Sequence, residues 1–329
     1  MNKSQALPPR RLSVAPMMNR TDRHFRYLMR LVTRETWLYT EMVVARALMH
    51  GDPGRFLGHH ADESPLALQL GGSEPATLAH AAGLAEEHGY DEVNINAGCP
   101  STRVTGGRMG AILMREPERV ADCVKAMRTA CSLPITVKTR IGVDHDDDFD
   151  FLCRFAEAVR AAGCETLIVH ARKAWLKGLS PRENRTVPAL DYERVFELKR
   201  CFPTLEVILN GGVNELDAAE PMLEHCDGVM LGRAAFSRPL AFSEADRRFY
   251  ARHTPPPALA DVLRAYLDYL APQSTHGKVP HTALAPLAGL FSGLRGARRT
   301  RRGLGALAAT RELSVLAEVL APWMQAEAA

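Results

Sequence analysis

No apolar run in the sequence approaches the roughly 20 residues that a membrane-spanning helix needs, and the opening residues MNKSQALPPRRLSVAP lack the apolar stretch of a secretory signal. Neither a membrane protein nor an exported one is expected. No C-x-x-C pair occurs, and the seven cysteines (Cys99, Cys123, Cys131, Cys153, Cys164, Cys201 and Cys226) are odd in number. A disulfide framework and a zinc site both lack support, and reduced thiols suit a cytoplasmic setting. No G-x-G-x-x-G follows a strand-like segment, which argues against a Rossmann site holding a resident dinucleotide. The charge balance is small too, +3 overall, so net charge alone selects no partner.

What is present is enough apolar residue, 46% of 329, to bury a large core, with an ordinary 24% of charged residues. Eight short apolar segments read as strands: Leu12–Ala15, Leu38–Val44, Leu66–Leu70, Glu92–Asn96, Ile135–Thr139, Thr166–His170, Val207–Asn210 and Gly228–Leu231. Helical periodicity fills most gaps between them, in Glu74–His88, Glu116–Ala130, Phe149–Ala162, Asp191–Cys201 and Asn214–Glu224. Strands that are apolar throughout suit a sheet covered on both faces. Their alternation with helices predicts a (β/α)8 TIM barrel, with a doubly wound sheet as the alternative. The strands stop before the proline-rich linker His253–Pro257, beyond which only helical patterns remain: Ala258–Leu270, Leu284–Leu294 and Leu304–Met324. The barrel is therefore assigned to residues 1–245 and a small C-terminal all-helical domain to 246–329.

In a barrel the chemistry sits at the C-terminal ends of the strands. Those ends carry Pro16-Met17-Met18, Gln69, Asn96 followed by Gly98-Cys99-Pro100, Lys138-Thr139-Arg140, His170-Ala171-Arg172, Asn210-Gly211-Gly212 and Gly232-Arg233. Polar residues at one end of nearly every strand are more than stability requires. The glycine turns after the seventh and eighth strands offer backbone N–H groups where barrels commonly bind phosphate, and Arg233 adds a positive charge. Lys138 interrupts an apolar strand, and a lysine so placed is rarely buried without a partner. Beside the pyrimidine ring of a flavin it would stabilise negative charge, Gln69 and Asn96 would match the ring's carbonyl and N–H edge, and His170 would donate to a phosphate or flavin oxygen.

The segments VAPMM, LALQLGGS, YDEVNINAGCPS, VKTRIG, HARKAWLKGLSPRENR, LNGGV, DGVMLGR and GLRGARRTRR resemble the tRNA-dihydrouridine synthases, and most closely their A subfamily. The resemblance runs from near residue 12 past residue 300. It implies an FMN held by Pro16, Met17, Met18, Gln69, Lys138, His170, Asn210, Gly211, Gly212, Gly232 and Arg233. It also implies NADPH as the hydride source, and reduction of uridines 20 and 20a in the D-loop of tRNA. Neither a membrane nor an obligate protein partner is implied. Three places depart from the subfamily's pattern: Met18-Asn19-Arg20 stands where Leu-Asp-Trp is usual, Thr300 where an aromatic is usual, and Ala285-Pro286 where an Arg-His pair is usual.

Reducing the uracil 5,6 double bond takes a hydride at C6 and a proton at C5. A free thiol has a pKa of about 8.5 and is mostly protonated near neutrality, so Cys99, on the loop after the fourth strand, is the expected proton donor. For the other six cysteines a buried apolar role is expected. The target base must be turned out of the folded RNA at a cost of a few kcal/mol, which calls for grip elsewhere. Asn96, Arg182 and Arg185 near the mouth, and the run Arg295, Arg298, Arg299, Arg301 and Arg302, are the expected tRNA contacts, and binding should weaken steeply with salt. Trp175 either stacks on a base or closes the core. The competing readings are an FMN barrel acting on a free pyrimidine, an aldolase using Lys138 as a Schiff base, and a non-catalytic tRNA-binding protein.

Overall fold

The computed structural model describes residues 7–325; the outermost residues of the two assigned domains, 1–6 and 326–329, lie outside that range. Eight strands form where apolar and β-branched residues cluster: β1 Leu12–Val14, β2 Trp37–Tyr39, β3 Leu66–Gly71, β4 Glu92–Asn96, β5 Ile135–Arg140, β6 Thr166–His170, β7 Glu206–Asn210 and β8 Gly228–Leu231. Every neighbouring pair is parallel, and β1 pairs with both β2 and β8, so the sheet closes into the expected (β/α)8 barrel. Helices start where sequence chemistry caps them. The carboxylates of Asp22, Asp148 and Asp191 accept from the N–H groups of Phe25, Phe151 and Arg194, and Pro75 and Pro117 occupy first turns.

Side chains alternate between the two faces of each strand. Along β4, Val93 and Ile95 enter the large core between sheet and helices, while Glu92, Asn94 and Asn96 face the barrel axis. A separate apolar cluster of Ala15, Trp37, Tyr39, Ala67, Ile168, Ile208 and Met230 fills the rest of the interior. The floor is closed by Arg10. It binds Glu92 at 2.6 Å and Glu206 at 3.1 Å, and its guanidinium lies 4.4 Å from the centre of the Trp37 ring.

Two expected elements divide. The segment Leu38–Val44 ends as a barrel strand at Tyr39. The Thr40 hydroxyl donates to the Glu41 carbonyl at 2.7 Å and accepts from the Gln69 N–H at 3.0 Å, and after this bend Val43–Val44 pairs separately with Leu70–Gly71. The pattern over Leu304–Met324 is two helices, Ala297–Thr310 and Leu313–Met324. The chain reverses at Arg311, which has φ of 59° and whose carbonyl accepts from the Val279 N–H at 2.8 Å.

The C-terminal helices rest on the barrel beside its first and last helical connections. Tyr269, on helix Leu259–Leu270, stacks on Tyr27 with ring centres 3.7 Å apart, and its hydroxyl meets Nδ1 of His24 at 3.0 Å. Helix Leu284–Leu290 crosses Arg233–Ser237 so closely that a Cβ at Gly289 would lie 2.4 Å from the Phe236 carbonyl oxygen. Helix Arg233–Ser237 follows β8 directly, so this contact brings the helical region next to the barrel mouth. Among the described residues, no helix is long and apolar enough to cross a membrane.

Candidate active site

β4 ends at Asn96, and the chain then passes over the mouth through Ala97, Gly98 and Cys99. Asn96 holds this turn from below, its Oδ1 accepting from the N–H groups of Gly98 at 3.1 Å and Cys99 at 3.0 Å. From β5, Arg140 holds it from the side, Nε donating to the Gly98 carbonyl at 2.9 Å. The Cys99 carbonyl accepts from the Ala111 N–H at 2.8 Å. Both peptide groups that carry Cys99 are thereby fixed, while its side chain stays partly exposed.

Arg140 stands at the end of β5, and its position in the sequence assigns it no task. The residue is 3% exposed, and its guanidinium also donates Nη1 to the carbonyls of Lys173 at 3.2 Å and Asn184 at 3.0 Å. One side chain thus joins the Cys99 turn to the loop that follows β6. Burial lowers its pKa to about 10 against the pull of Cys99, with Arg185 and Arg172 lowering it further. Asn184, fully buried, organises that loop. Its Nδ2 donates to the carbonyl of Trp175 at 2.9 Å and its Oδ1 accepts from the Trp175 N–H at 2.8 Å. The sequence signal was available in the PRENR block, but nothing local marks an asparagine as a buried hub.

The same mouth gathers the other strand-end residues. Lys138 Nζ donates to Asn210 Oδ1 at 2.8 Å, and Asn210 Nδ2 donates to the Met230 carbonyl at 2.7 Å. Burial, and then Arg140, push the Lys138 ammonium down to about 7, with Cys99 opposing. His170 is held well below the ordinary imidazole range by burial and by Arg140, Lys138, Arg172 and Arg185, so it is neutral near pH 7 and has one N–H to give. Gln69 Nε2 donates to Asn94 Oδ1 at 2.8 Å, and Gln69 Oε1 accepts from Asn96 Nδ2 at 2.9 Å. With three internal hydrogen bonds, the Asn96 side chain is engaged in holding the turn.

The side toward β7 and β8 suits an anion. Gly211 and Gly212 have φ of 113° and 74°, and a Cβ on Gly211 would lie 2.5 Å from His170 Cδ2. The Tyr192 hydroxyl ties the turn down by donating to the Gly211 carbonyl at 2.8 Å. Arg172 donates Nη1 to the carbonyl of Pro188, and its buried Nε has no hydrogen-bond partner among the described residues. Gly232 has no neighbour closer than 3.6 Å to its missing Cβ, Met17 Sδ being one at that distance, so the turn after β1 borders the one after β8. Pro16 and Met17 are partly buried there, and Met18 is 57% exposed. Arg233 opens the helix after Gly232. Lys138, Arg140, Arg172, Arg182, Arg185 and Arg233 form no ion pair among the described residues, so the mouth carries uncompensated positive charge.

Arg182 and Arg185 stand exposed in the loop after β6, around the short turn Glu183–Arg185. Trp175 in that loop packs edge-on to His145 with ring centres 5.2 Å apart, and Lys173 Nζ lies 4.6 Å from the centre of its ring. Arg295, Arg298, Arg299, Arg301 and Arg302 are not part of the mouth. They lie on or just before helix Ala297–Thr310, exposed, while Ala297, Thr300, Leu304 and Leu307 form its buried stripe. Thr300 accepts from Trp323 Nε1 at 2.7 Å, which supplies an aromatic neighbour to a position where the subfamily usually has an aromatic residue. At the departure beside β1, the Arg20 guanidinium lies 4.7 Å from the centre of the Phe236 ring.

The pattern of the dihydrouridine synthase (Dus) family matches residues 13–325. The chain is 49% identical over 321 residues, 97% of its own length and 96% of the relative's, to the tRNA-dihydrouridine(20/20a) synthase of Salmonella typhimurium. It is 48% identical to the proteins of the same name from Escherichia coli (strain K12), over 92% of this chain and 90% of the relative, and Synechocystis, over 89% and 88%. Identity at this level over nearly whole chains, on a closed barrel with polar residues gathered at its mouth, places the chain in the dihydrouridine synthase family, within the subfamily of the tRNA-dihydrouridine(20/20a) synthases.

Proposed function

We propose that this protein reduces uridine to 5,6-dihydrouridine at positions 20 and 20a in the D-loop of tRNA, with FMN bound at the barrel mouth and NADPH as reductant. The observation that carries this reading is the clamped Cys99 turn beside a mouth where Lys138, Arg140, Arg172 and Arg185 gather around His170. FMN, when bound, supplies the hydride for C6 of the base. The residues present fit such a group: Arg172, Arg233 and the N–H groups of the Gly211-Gly212 turn suit its phosphate. Lys138, Gln69 and Asn210 suit the ring edge, and Pro16, Met17, Met18 and Gly232 its margin. The absence of a Rossmann motif suits a nicotinamide that visits and leaves.

Cys99 delivers the thiol proton to C5 as the hydride reaches C6, and the resulting thiolate regains a proton from solvent. The clamp on both flanking peptides fixes where Sγ can be, which is what a general acid requires. Lys138 would recover its charge beside an anionic ring, since its proton is held back by burial more than by any fixed cation. Arg182 and Arg185 face the RNA at the mouth, and Arg295, Arg298, Arg299, Arg301 and Arg302 hold its backbone from the helical region. Seven free thiols support a cytoplasmic setting.

The test is to purify the protein, record its flavin spectrum, and incubate it with NADPH and tRNA from cells lacking dihydrouridine. A yellow protein that leaves dihydrouridine at position 20 or 20a is expected. A colourless protein, or one that reduces free pyrimidines and ignores tRNA, would overturn the reading.

A further inference from the structure

A continuous line of hydrogen bonds runs inside the barrel from its floor to the Cys99 turn. Glu92 Oε1 accepts from Thr136 Oγ1 at 2.6 Å, and Thr136 Oγ1 accepts from Asn94 Nδ2 at 2.8 Å. Asn94 Oδ1 accepts from Gln69 Nε2, Gln69 Oε1 accepts from Asn96 Nδ2, and Asn96 Oδ1 accepts from the N–H groups of Gly98 and Cys99. The side chains of Glu92, Asn94, Thr136 and Gln69 are at most 1% exposed, so water cannot substitute for a missing partner. Strand geometry explains the alignment. Glu92, Asn94 and Asn96 share one face of β4, and register sets Asn94 beside Gln69 on β3 and Thr136 on β5.

This line has a direction, fixed at its two ends by groups that cannot reverse: the Glu92 carboxylate on the floor, and the backbone N–H groups of Gly98 and Cys99 at the turn, which only donate. An amide can be turned so that either end donates, and a hydroxyl has a single proton to place. An ionised carboxylate can only accept. Glu92 is kept in that role by Arg10, which binds Oε2 through Nε at 2.6 Å, and by Tyr39, whose hydroxyl donates to Oε1 at 2.8 Å. Thr136 must therefore spend its proton on Glu92 and accept from Asn94. That choice turns the Asn94 oxygen toward Gln69, then the Gln69 oxygen toward Asn96, and finally the Asn96 oxygen toward the turn. With the order reversed, the Asn96 NH2 would face two backbone N–H donors and the turn would lose its anchor.

We propose that Glu92 and Thr136 are positioning residues. From the barrel floor they fix the orientation of three amides and thereby hold the Cys99 turn in place. The consequence for proton transfer rests on the role proposed for Cys99, but the positioning itself does not.

The measurement is the rate at which iodoacetamide alkylates each cysteine of the full-length protein, resolved by peptide mass spectrometry, for the native chain, Thr136→Val, Thr136→Ser and Glu92→Gln. Neither cofactor nor tRNA is needed, so the result stands apart from the reaction proposed above. Thr136→Val cuts the line and Glu92→Gln permits its reversal; each should raise the Cys99 rate about three- to tenfold, the scale of a single hydrogen bond. Thr136→Ser restores the hydroxyl and should match the native chain. Cys123 and Cys164, each 1% exposed, should stay protected throughout. Where Glu92→Gln does not fold, the two Thr136 variants decide. An unchanged Cys99 rate in folded Thr136→Val, a serine variant that behaves like valine, or a joint rise of Cys99, Cys123 and Cys164 would overturn the proposal.

Discussion

The molecule carries two groups of cations, and they are built on opposite principles. At the barrel mouth, Arg140 is almost wholly buried and held by three backbone carbonyls, and Lys138 is bonded to Asn210. Burial lowers the pKa of both. On helix Ala297–Thr310 the arginines stand in solvent on one face, with no ion pair or hydrogen bond among the described residues. The first group gives up hydration to stand in one geometry; the second keeps its hydration and its freedom. A desolvated, fixed charge acts over a few ångströms on a defined atom. A hydrated, mobile one acts on a polyanion through the ion atmosphere and fades as salt is added.

Breaking the mouth should cost the most. Arg140→Ala frees the Gly98 carbonyl and the loop after β6 together, and we expect kcat on tRNA to fall by about 10²-fold, with KM little changed. Steady-state kinetics checks this, and a defect confined to KM would contradict it. Replacing Arg298, Arg299, Arg301 and Arg302 with alanine should give the opposite signature. Binding of tRNA should weaken by about 10- to 100-fold while saturated kcat is retained. The slope of log K against log salt should flatten by roughly three, at about 0.7–0.9 for each phosphate that is no longer neutralised. Filter binding across a salt series measures both the affinity and the slope.

Lys138→Met sharpens the comparison through pH. The Lys138 pKa is lowered to about 7 in the folded protein from 10.5, so between those values the unfolded chain binds the extra proton and native stability rises with pH. The methionine variant should lose that rise and be more stable than the native chain at pH 6–7, on the order of 1–3 kcal/mol in the cofactor-free protein, while losing flavin. Thermal melts at pH 6 and 9 read the first effect, and equal pH dependence in both proteins would contradict it. Smallest of all, Thr300→Val removes the partner of Trp323 Nε1 and should cost about 1 kcal/mol, seen as a modest fall in melting temperature.

The barrel was legible in the sequence because parallel strands covered on both sides are short and apolar, and seven of the eight expected segments match a barrel strand to within a residue or so. The eighth, Leu38–Val44, continued in apolar residues past a bend that Thr40 makes with its own hydroxyl, and hydrophobicity does not register such a bend. The helix break at Arg311 escaped for a similar reason, since an αL residue needs no glycine and its partner at Val279 is 32 positions away. Strand-end positions were legible because topology sends all of them to one mouth. What joins them was not. Alternation along β4 separates two faces but does not say which one looks inward, so Glu92 reads as an ordinary strand residue and Asn94 as one more polar residue at a strand end, without a task. Arg140 and Asn184 act through contacts 42 and 44 positions apart in sequence, which no local pattern encodes.

The most direct measurement of the central claim is an anaerobic single-turnover trace. The native protein and Cys99→Ala are each reduced with NADPH and mixed with tRNA lacking dihydrouridine, and the return of the oxidised flavin spectrum is followed. The account predicts rapid reoxidation in the native protein and a rate lower by about 10²–10⁴-fold in the variant, with tRNA binding unchanged. Equal rates in the two proteins would remove Cys99 from the chemistry and contradict the account.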